Sequence, residues 1–257
     1  MKNLIDLTGK KIIVTGASSG IGQSIAVLCS QIGAEVILVA RREDRLKETL
    51  AMMEQGNHTY FVADLSQTEK IAGLVGEMVE RVGKIDGFVH AAGVTATTAV
   101  VQADILKYEQ LMRVNYYAFV EMFRALSKRK CSNDGMSVVG ISSSAVVDGK
   151  ACMLYAATKA AMETFAAVAQ RETVPKRRIR INTIRPHFVK TEMTDDYFEN
   201  YTEEQLLDLY PLGVLQKDDI AICACFFLSD ASSKIANQNL LIDSGTILCT
   251  TKGMKHL

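Results

Sequence analysis

Short apolar runs alternate along this chain with longer stretches of helical character. The short runs are Lys11–Thr15, Glu35–Ala40, Thr59–Ala63, Ile85–Ala91 and Ser137–Ile141. They read as continuous apolar segments (I-I-V, V-I-L-V), the pattern of strands buried on both faces. Between them lie Ile21–Ile32, Glu43–Glu54, Gln67–Val82 and Ile105–Lys130, and a further helix is predicted from about Cys152 to Glu172. Strands follow at Ile179–Ile184 and Gln238–Ile242, with a helix near Asp218–Leu228 between them. Strands alternating with helices predict βαβ units: an α/β fold with a doubly wound parallel sheet of about seven strands. Helices would cover both faces in a three-layer α/β/α sandwich. Pro175, Pro186 and Pro211 fall between predicted elements, where a missing N–H disrupts no ladder.

The segment from Lys190 to Val214 breaks the alternation. It is richer in Asp, Glu, Tyr and Thr than the rest, and reads as an excursion with one or two short helices. An insertion after a strand's carboxyl end often covers a site. The expectation is one domain over residues 1–257, with the substrate-loop excursion at about 190–214.

Composition narrows the function. The 29 Lys+Arg balance 29 Asp+Glu, so the chain lacks the basic excess of a general nucleic-acid binder or a polybasic membrane-surface protein. Hydrophobic residues at 48% exclude disorder as a dominant property. No apolar run reaches the ~18 residues of a membrane span. Six cysteines without a C-x-x-C pair point to a reducing cytoplasm. Four scattered histidines show no metal-ligand spacing, so no metal is expected.

The first strand runs into T-G-A-S-S-G-I-G, residues 15–22. A glycine-rich turn between a strand and a helix lets backbone N–H groups approach a pyrophosphate at the positive end of the helix. The spacing is G-x-x-x-G-x-G, and the candidate contacts are Gly16, Ser18, Ser19, Gly20, Ile21 and Gly22. The end of the second strand discriminates cofactors: an acidic residue there binds the ribose 2′-hydroxyl of NAD, a basic one the 2′-phosphate of NADP. This chain has Arg41-Arg42, which favours NADP(H), with NAD(H) as the alternative if Arg42 instead pairs with Glu43 or Asp44.

Tyr155 and Lys159 occur as Y-A-A-T-K, and the i, i+4 spacing puts both on one helix face. A neighbouring ammonium lowers a phenol's pKa, making it a usable acid or base near neutral pH. At this point the chain resembles a short-chain dehydrogenase/reductase of the single-domain branch, in the manner of 3-oxoacyl-ACP reductases. The resemblance runs from Leu7 to about Leu248 and includes Asp64-Leu65 after the third strand, Ala91-Ala92-Gly93 after the fourth, Asn115 in V-N-Y, Ser142-Ser143-Ser144 at a strand end, and N-T-I-R-P-H-F-V-K-T ending at Thr191.

What the resemblance implies is a Rossmann-type fold and an NADP-dependent oxidoreductase that interconverts a ketone and a secondary alcohol. Tyr155 would be the general acid or base. Lys159 would lower its pKa and bind the nicotinamide ribose, and Asn115 would hold a water leading from Lys159 to solvent. A serine would bond the substrate oxygen: the I-S-S pattern points to Ser143, while counting back thirteen residues from Tyr155 gives Ser142. Asp64 and Leu65 would contact adenine. Ala91, Ala92 and Gly93 would line the cofactor, and Pro186, Val189 and Thr191 would meet the carboxamide. The resemblance also implies a homo-oligomer, dimer or tetramer, through the apolar faces of the Ile105–Lys130 helix (Leu111, Val114, Ala118, Met122) and the Cys152–Glu172 helix (Ala157, Ala161, Phe165, Val168).

Three residues depart from the family pattern. His90 stands where asparagine is usual, His187 follows Pro186 in place of glycine, and Ser244 replaces a glycine in Asp243-Ser244-Gly245, where the family has D-G-G. Other readings stay open: a non-catalytic dinucleotide-binding, redox-sensing module; NAD-dependent alcohol oxidation; and a sugar-nucleotide epimerase or dehydratase, which little chain after Gly245 disfavours. The expected partner is a small carbonyl or alcohol substrate, with no nucleic acid and no membrane.

Overall fold

The strands are β1 (Lys11–Thr15), β2 (Glu35–Ala40), β3 (Thr59–Val62), β4 (Ile85–His90), β5 (Ser132–Ile141), β6 (Arg180–Pro186), β7 (Val189–Lys190), β8 (Leu215–Gln216) and β9 (Asn239–Ile242). The helices are α1 (Gly20–Gln31), α2 (Glu43–Met52), α3 (Ile71–Val82), α4 (Ile105–Met112), α5 (Ala118–Leu126), α6 (Ala145–Asp148), α7 (Met153–Arg177), α8 (Asp195–Phe198), α9 (Glu203–Leu209) and α10 (Lys217–Leu228). This is a computed structural model that describes residues 5–246; Cys249 and His256 lie outside them. Seven strands form one sheet in the order β3-β2-β1-β4-β5-β6-β9, and every pair in it is parallel. The order reverses direction at β1, which makes the sheet doubly wound, a Rossmann-type α/β fold, and opens a crevice at the strands' carboxyl ends.

Alternation of side chains along the strands builds a core on each face. Ile12 and Val14 of β1, with Val36 and Leu38 of β2, pack against Ile25 and Cys29 of α1, Leu46 of α2 and Ile220 and Ala224 of α10. Ile13, Ile37 and Val39 point the other way, to Val75 and Met78 of α3, Phe119 and Met122 of α5, and Met162 and Ala166 of α7. Among the described residues no helix is long and apolar enough to cross a membrane, and no cluster of His, Cys, Asp or Glu is arranged to hold a metal ion.

Three elements differ from the sequence reading. The predicted helix Ile105–Lys130 is two helices joined by a π-helical turn, Arg113–Tyr117. Strand β5 begins at Ser132 rather than Ser137, with its pairing to β4 shifting between Ile85 and Gly87; the N-D-G inside it reads locally as a turn. Helix α7 runs through Pro175 to Arg177 instead of stopping before it. Pro175 sits in the last turn, where few bonds remain to be lost. That turn is anchored by the buried Arg177, which donates to Asp134, to the Ser127 and Ser132 carbonyls and to the Ser132 hydroxyl. Arg180 is likewise buried, donating to the Ile235 carbonyl and the Ser232 hydroxyl. Arg177 and Arg180 are therefore internal braces.

The expected oligomer faces are also revised in part. Leu111, Ala118 and Met122 are buried in the chain's own core. Of the α7 residues, Ala157 and Val168 are exposed and Ala161 is half-buried, while Phe165 turns inward against Tyr116, Phe119 and Phe123. The excursion after β6 carries α8 and α9, and the parallel pairing of β7 with β8 closes it at its base.

Candidate active site

Steric demand explains the glycine turn. Gly16 has φ +68° and Gly20 φ +57°, a left-handed region that side chains disfavour. A Cβ on Gly16 would lie 2.7 Å from the Ala92 nitrogen, and one on Gly22 would lie 2.4 Å from the Gly16 carbonyl oxygen. The turn is thereby pressed against the Ala91-Ala92 segment that follows β4. Ser19 caps α1 without a side-chain bond to the helix, so the first-turn N–H groups face the crevice, where an anion is stabilised. These residues fit a dinucleotide's pyrophosphate.

Arg42 ends β2's connection and donates to the Ser19 hydroxyl at 3.4 Å. Among the described residues neither Arg41 nor Arg42 forms a salt bridge; Glu43 pairs instead with Lys47 at 2.9 Å and accepts from Tyr60 at 3.0 Å. Both arginines are exposed, and Arg41 lies close enough to Asp64 to help hold its carboxyl below the usual range. The larger cause there is the Ser66 N–H, which donates to Asp64 at 3.0 Å. Leu65 beside it is buried.

The opposite end of the crevice gathers the polar residues of β5, α7 and the π-turn. The Ser143 hydroxyl lies near enough to the Tyr155 phenol to favour its ionised form, and the Ser143 oxygen accepts from the Ala145 N–H at 3.2 Å. Ser142 is committed elsewhere, donating to Glu163 Oε1 at 2.6 Å in a buried contact. The two serines left open by the spacing thus have different surroundings: Ser142 is engaged with Glu163, and Ser143 bears on the phenol. Lys159, 3% exposed, donates to the Ile141 carbonyl at 2.7 Å, and its Nζ lies 5.6 Å from the Tyr155 ring centroid. Asn115, fully buried in the π-turn, accepts from the Val94 N–H at 2.8 Å and donates to the Val94 carbonyl and the Thr158 hydroxyl at 2.9 and 3.0 Å. A Cβ on Gly93 would sit 3.4 Å from Asn115 Oδ1 and 3.5 Å from Lys159 Nζ, so that glycine lets the β4 turn approach both. Across the crevice, Thr191 stands 3.6 Å from a Cβ built on Gly20. The Pro186 carbonyl accepts from the Ser144 N–H at 2.9 Å, and Val189 is buried in β7.

Burial pushes the Tyr155 phenol above its usual value, and the Ser143 hydroxyl partly opposes this. Lys159 itself is brought down by burial to about 8, with Glu163 acting in the opposite direction.

Comparison with known proteins decides the family. A family model described as Enoyl-(Acyl carrier protein) reductase matches residues 16–246. The 3-oxoacyl-[acyl-carrier-protein] reductase FabG of Rickettsia conorii is 30% identical over 95% of this chain and 100% of its own. The NAD-dependent glycerol dehydrogenase of Listeria innocua is 30% identical over 93% of this chain and 94% of its own. A solved structure of a putative short-chain alcohol dehydrogenase from Sinorhizobium meliloti superposes with a TM-score of 0.87 at 27% identity, covering 95% of this chain and 99% of that one. The chain belongs to the short-chain dehydrogenase/reductase family. It is an oxidoreductase of the ketone–alcohol class and takes a nicotinamide cofactor.

The departures from the short-chain dehydrogenase/reductase pattern have distinct surroundings. His90 is buried and pushed down to about 3, chiefly by desolvation. Its Nε2 lies 3.2 Å from the Val114 carbonyl, which only accepts, so Nε2 carries the proton. Its Nδ1 then accepts from the Thr15 hydroxyl at 3.1 Å, while Thr15 accepts from the Ala92 N–H at 3.3 Å. His90 thus braces β1, the β4 turn and the π-turn. His187 lies with Nε2 3.5 Å from Asp148 of α6 and against the Phe188 and Tyr210 rings. Burial lowers its pKa, with Asp148 and Asp243 opposing. The sequence reading missed Glu163, Thr158 and Arg185. Glu163 was legible as the next i+4 position after Lys159; Arg185 is brought there only by the β5–β6 pairing.

Proposed function

We propose that this chain is an NADP(H)-dependent reductase of small ketones, with Ser143, Tyr155, Lys159 and Asn115 as its reacting group. The observation that carries the reading is a buried lysine, Lys159, whose Nζ lies 5.6 Å from the Tyr155 ring centroid and donates to the Ile141 carbonyl, two residues before Ser143 at the carboxyl end of β5. Burial keeps the phenol protonated, the form from which a general acid starts, and the reductive direction follows from the NADP(H) preference of the Arg41-Arg42 pair. The glycine turn, with Ser18, Ser19 and Ile21, would hold the pyrophosphate. Arg41 and Arg42 would take the 2′-phosphate, Asp64 and Leu65 the adenine, and Ala91, Ala92 and Gly93 the inner ribose side. Pro186, Val189 and Thr191 would meet the carboxamide. When bound, the cofactor supplies the hydride.

The residues of the chain do the rest. Tyr155 gives its phenolic proton to the carbonyl oxygen, and the Ser143 hydroxyl donates to the same oxygen as negative charge develops there. Lys159 keeps a positive charge near the phenolate left behind. Asn115 sets the spacing between Val94 and Thr158 and has one Oδ1 lone pair left for a water that returns protons to Lys159. The excursion at 190–214 would cover the substrate. The outward row of α7 would meet a second copy, in a cytoplasmic homo-oligomer.

The test is an equilibrium titration with NADPH and with NADH, followed by the nicotinamide's own emission, then a ketone screen with the cofactor that binds. NADPH should bind about tenfold or more tightly, and Arg41→Ala/Arg42→Ala should erase that preference, since one charge-assisted bond contributes roughly 1.5–3 kcal/mol. Tyr155→Phe should abolish turnover and keep binding. The Listeria relative makes NAD-dependent alcohol oxidation the second reading; tighter NADH binding would favour it. Cofactor binding with no turnover on any ketone or alcohol would favour the non-catalytic module.

A further inference from the structure

Tyr155, Lys159 and Glu163 fall at i, i+4 and i+8 of α7 and so share one face of that helix. The first two belong to the reacting group; the third does not touch it. Glu163 is 6% exposed, and a carboxylate this buried needs partners. It has two. Arg185 of β6 grips it in a two-pronged contact, Nε to Oε1 at 2.7 Å and Nη2 to Oε2 at 2.5 Å. Ser142 donates to Oε1 at 2.6 Å. Ser142 precedes Ser143 in the chain and follows Ile141, whose carbonyl accepts from Lys159. One carboxylate therefore holds the strand end from which Ser143 projects and ties it to α7 and β6 together.

It also acts on charge. Lys159 is enclosed, with desolvation working against its ammonium form and Glu163 the opposing influence. The other groups around Lys159 do not replace it. Tyr155 on the same helix is held protonated by burial, His90 from β4 is neutral at ordinary pH, and Asn115 and Ser143 carry no charge. Arg185, on the far side of Glu163, is itself positive.

We propose that Glu163 is a positioning residue for the ketone–alcohol reaction: its buried carboxylate fixes the strand end that carries Ser143 and holds Lys159 in its charged form. The inference rests on the reading of the site given above. A purely structural clamp between α7 and β6 would need the Arg185 contact alone and would leave Lys159's titration untouched.

The experiment is a pH titration of the full-length protein labelled with [13Cε]lysine, with the Lys159 resonance assigned by its loss in Lys159→Met. In the wild type it should titrate near pH 8. Glu163→Gln keeps an oxygen for Ser142 and removes the charge; the Lys159 midpoint should fall by about one unit or more. The alkaline limb of kcat/KM for NADPH-dependent ketone reduction should move down by the same interval. Glu163→Asp should keep the midpoint near the wild-type value. Arg185→Gln, which leaves the carboxylate without its counter-charge, should move the midpoint up and serves as the deciding variant if Glu163→Gln does not fold. An unchanged Lys159 midpoint in folded Glu163→Gln, or in Arg185→Gln, overturns the proposal. A wild type without carbonyl turnover overturns the functional reading instead, and the Lys159 midpoint still decides the role of Glu163.

Discussion

Ser142 and Ser143 are identical in chemistry and adjacent in sequence, yet successive residues leaving a strand project to opposite sides. One therefore reaches Tyr155 and the other Glu163. Ser143→Ala should cost roughly 10²–10³ in kcat if its hydroxyl donates to the developing oxyanion, with stability little changed. Ser142→Ala should do the reverse, lowering unfolding free energy by about 1–2 kcal/mol for a lost buried hydrogen bond with a far smaller loss of kcat. Parallel denaturant melts and steady-state kinetics on the two variants check this, and equal kinetic losses would contradict the assignment. The pair also marks what was legible at this scale. Residue spacing located the serine run, but two counts gave two answers, because spacing does not report which way a side chain points. The same holds for Arg41 and Arg42. Their position after β2 was readable, whereas their freedom from Glu43 and Asp44 follows from Lys47 and Tyr60 occupying Glu43.

The π-turn at Arg113–Tyr117 is the element whose irregularity matters most. An apolar period through Ile105–Lys130 predicts one regular helix, since a single widened turn barely disturbs the pattern. In the structure that turn carries Asn115 to both backbone groups of Val94 and to Thr158. Asn115→Ala would leave the Val94 groups and the Thr158 contact short of partners, at a cost of about 2–4 kcal/mol. Amide hydrogen exchange should show the Val94 N–H losing protection in that variant; retained protection would mean that the turn, not the side chain, does the holding. Helix α7 makes the opposite point. Pro175 predicts a stop, and Arg177's four hydrogen bonds outweigh it. Local propensity yielded to tertiary bonding in the last turn, where a proline disturbs least.

Across the whole molecule, His90 couples β1, the turn after β4 and the π-turn through Thr15 and Val114. Its folded pKa is about 3, against an ordinary value of 6.5. Between those values the unfolded chain takes up a proton that the folded chain refuses. Stability from this group is thus complete above pH 6.5 and is lost by up to about 1.4 kcal/mol per pH unit as the pH falls toward 3. His90→Asn should flatten that acid slope in denaturant melts taken from pH 7 to 4; an unchanged slope would assign it to carboxylates instead. The outward row of α7, with Val168 57% exposed, is where a second copy would dock. Val168→Glu should shift the mass seen by light scattering toward the protomer, and an unaltered mass would move the interface elsewhere. The sequence alone determined the doubly wound sheet, because strands buried on both faces must be apolar throughout. It also located the glycine turn and the Tyr155–Lys159 face, since both are local patterns set by backbone geometry. Only the tertiary structure decided that Ser142 is engaged by Glu163, that Arg185 grips the same carboxylate, and that Lys159 is buried against the Ile141 carbonyl. Those depend on distances between β5, β6 and α7, which no local pattern encodes.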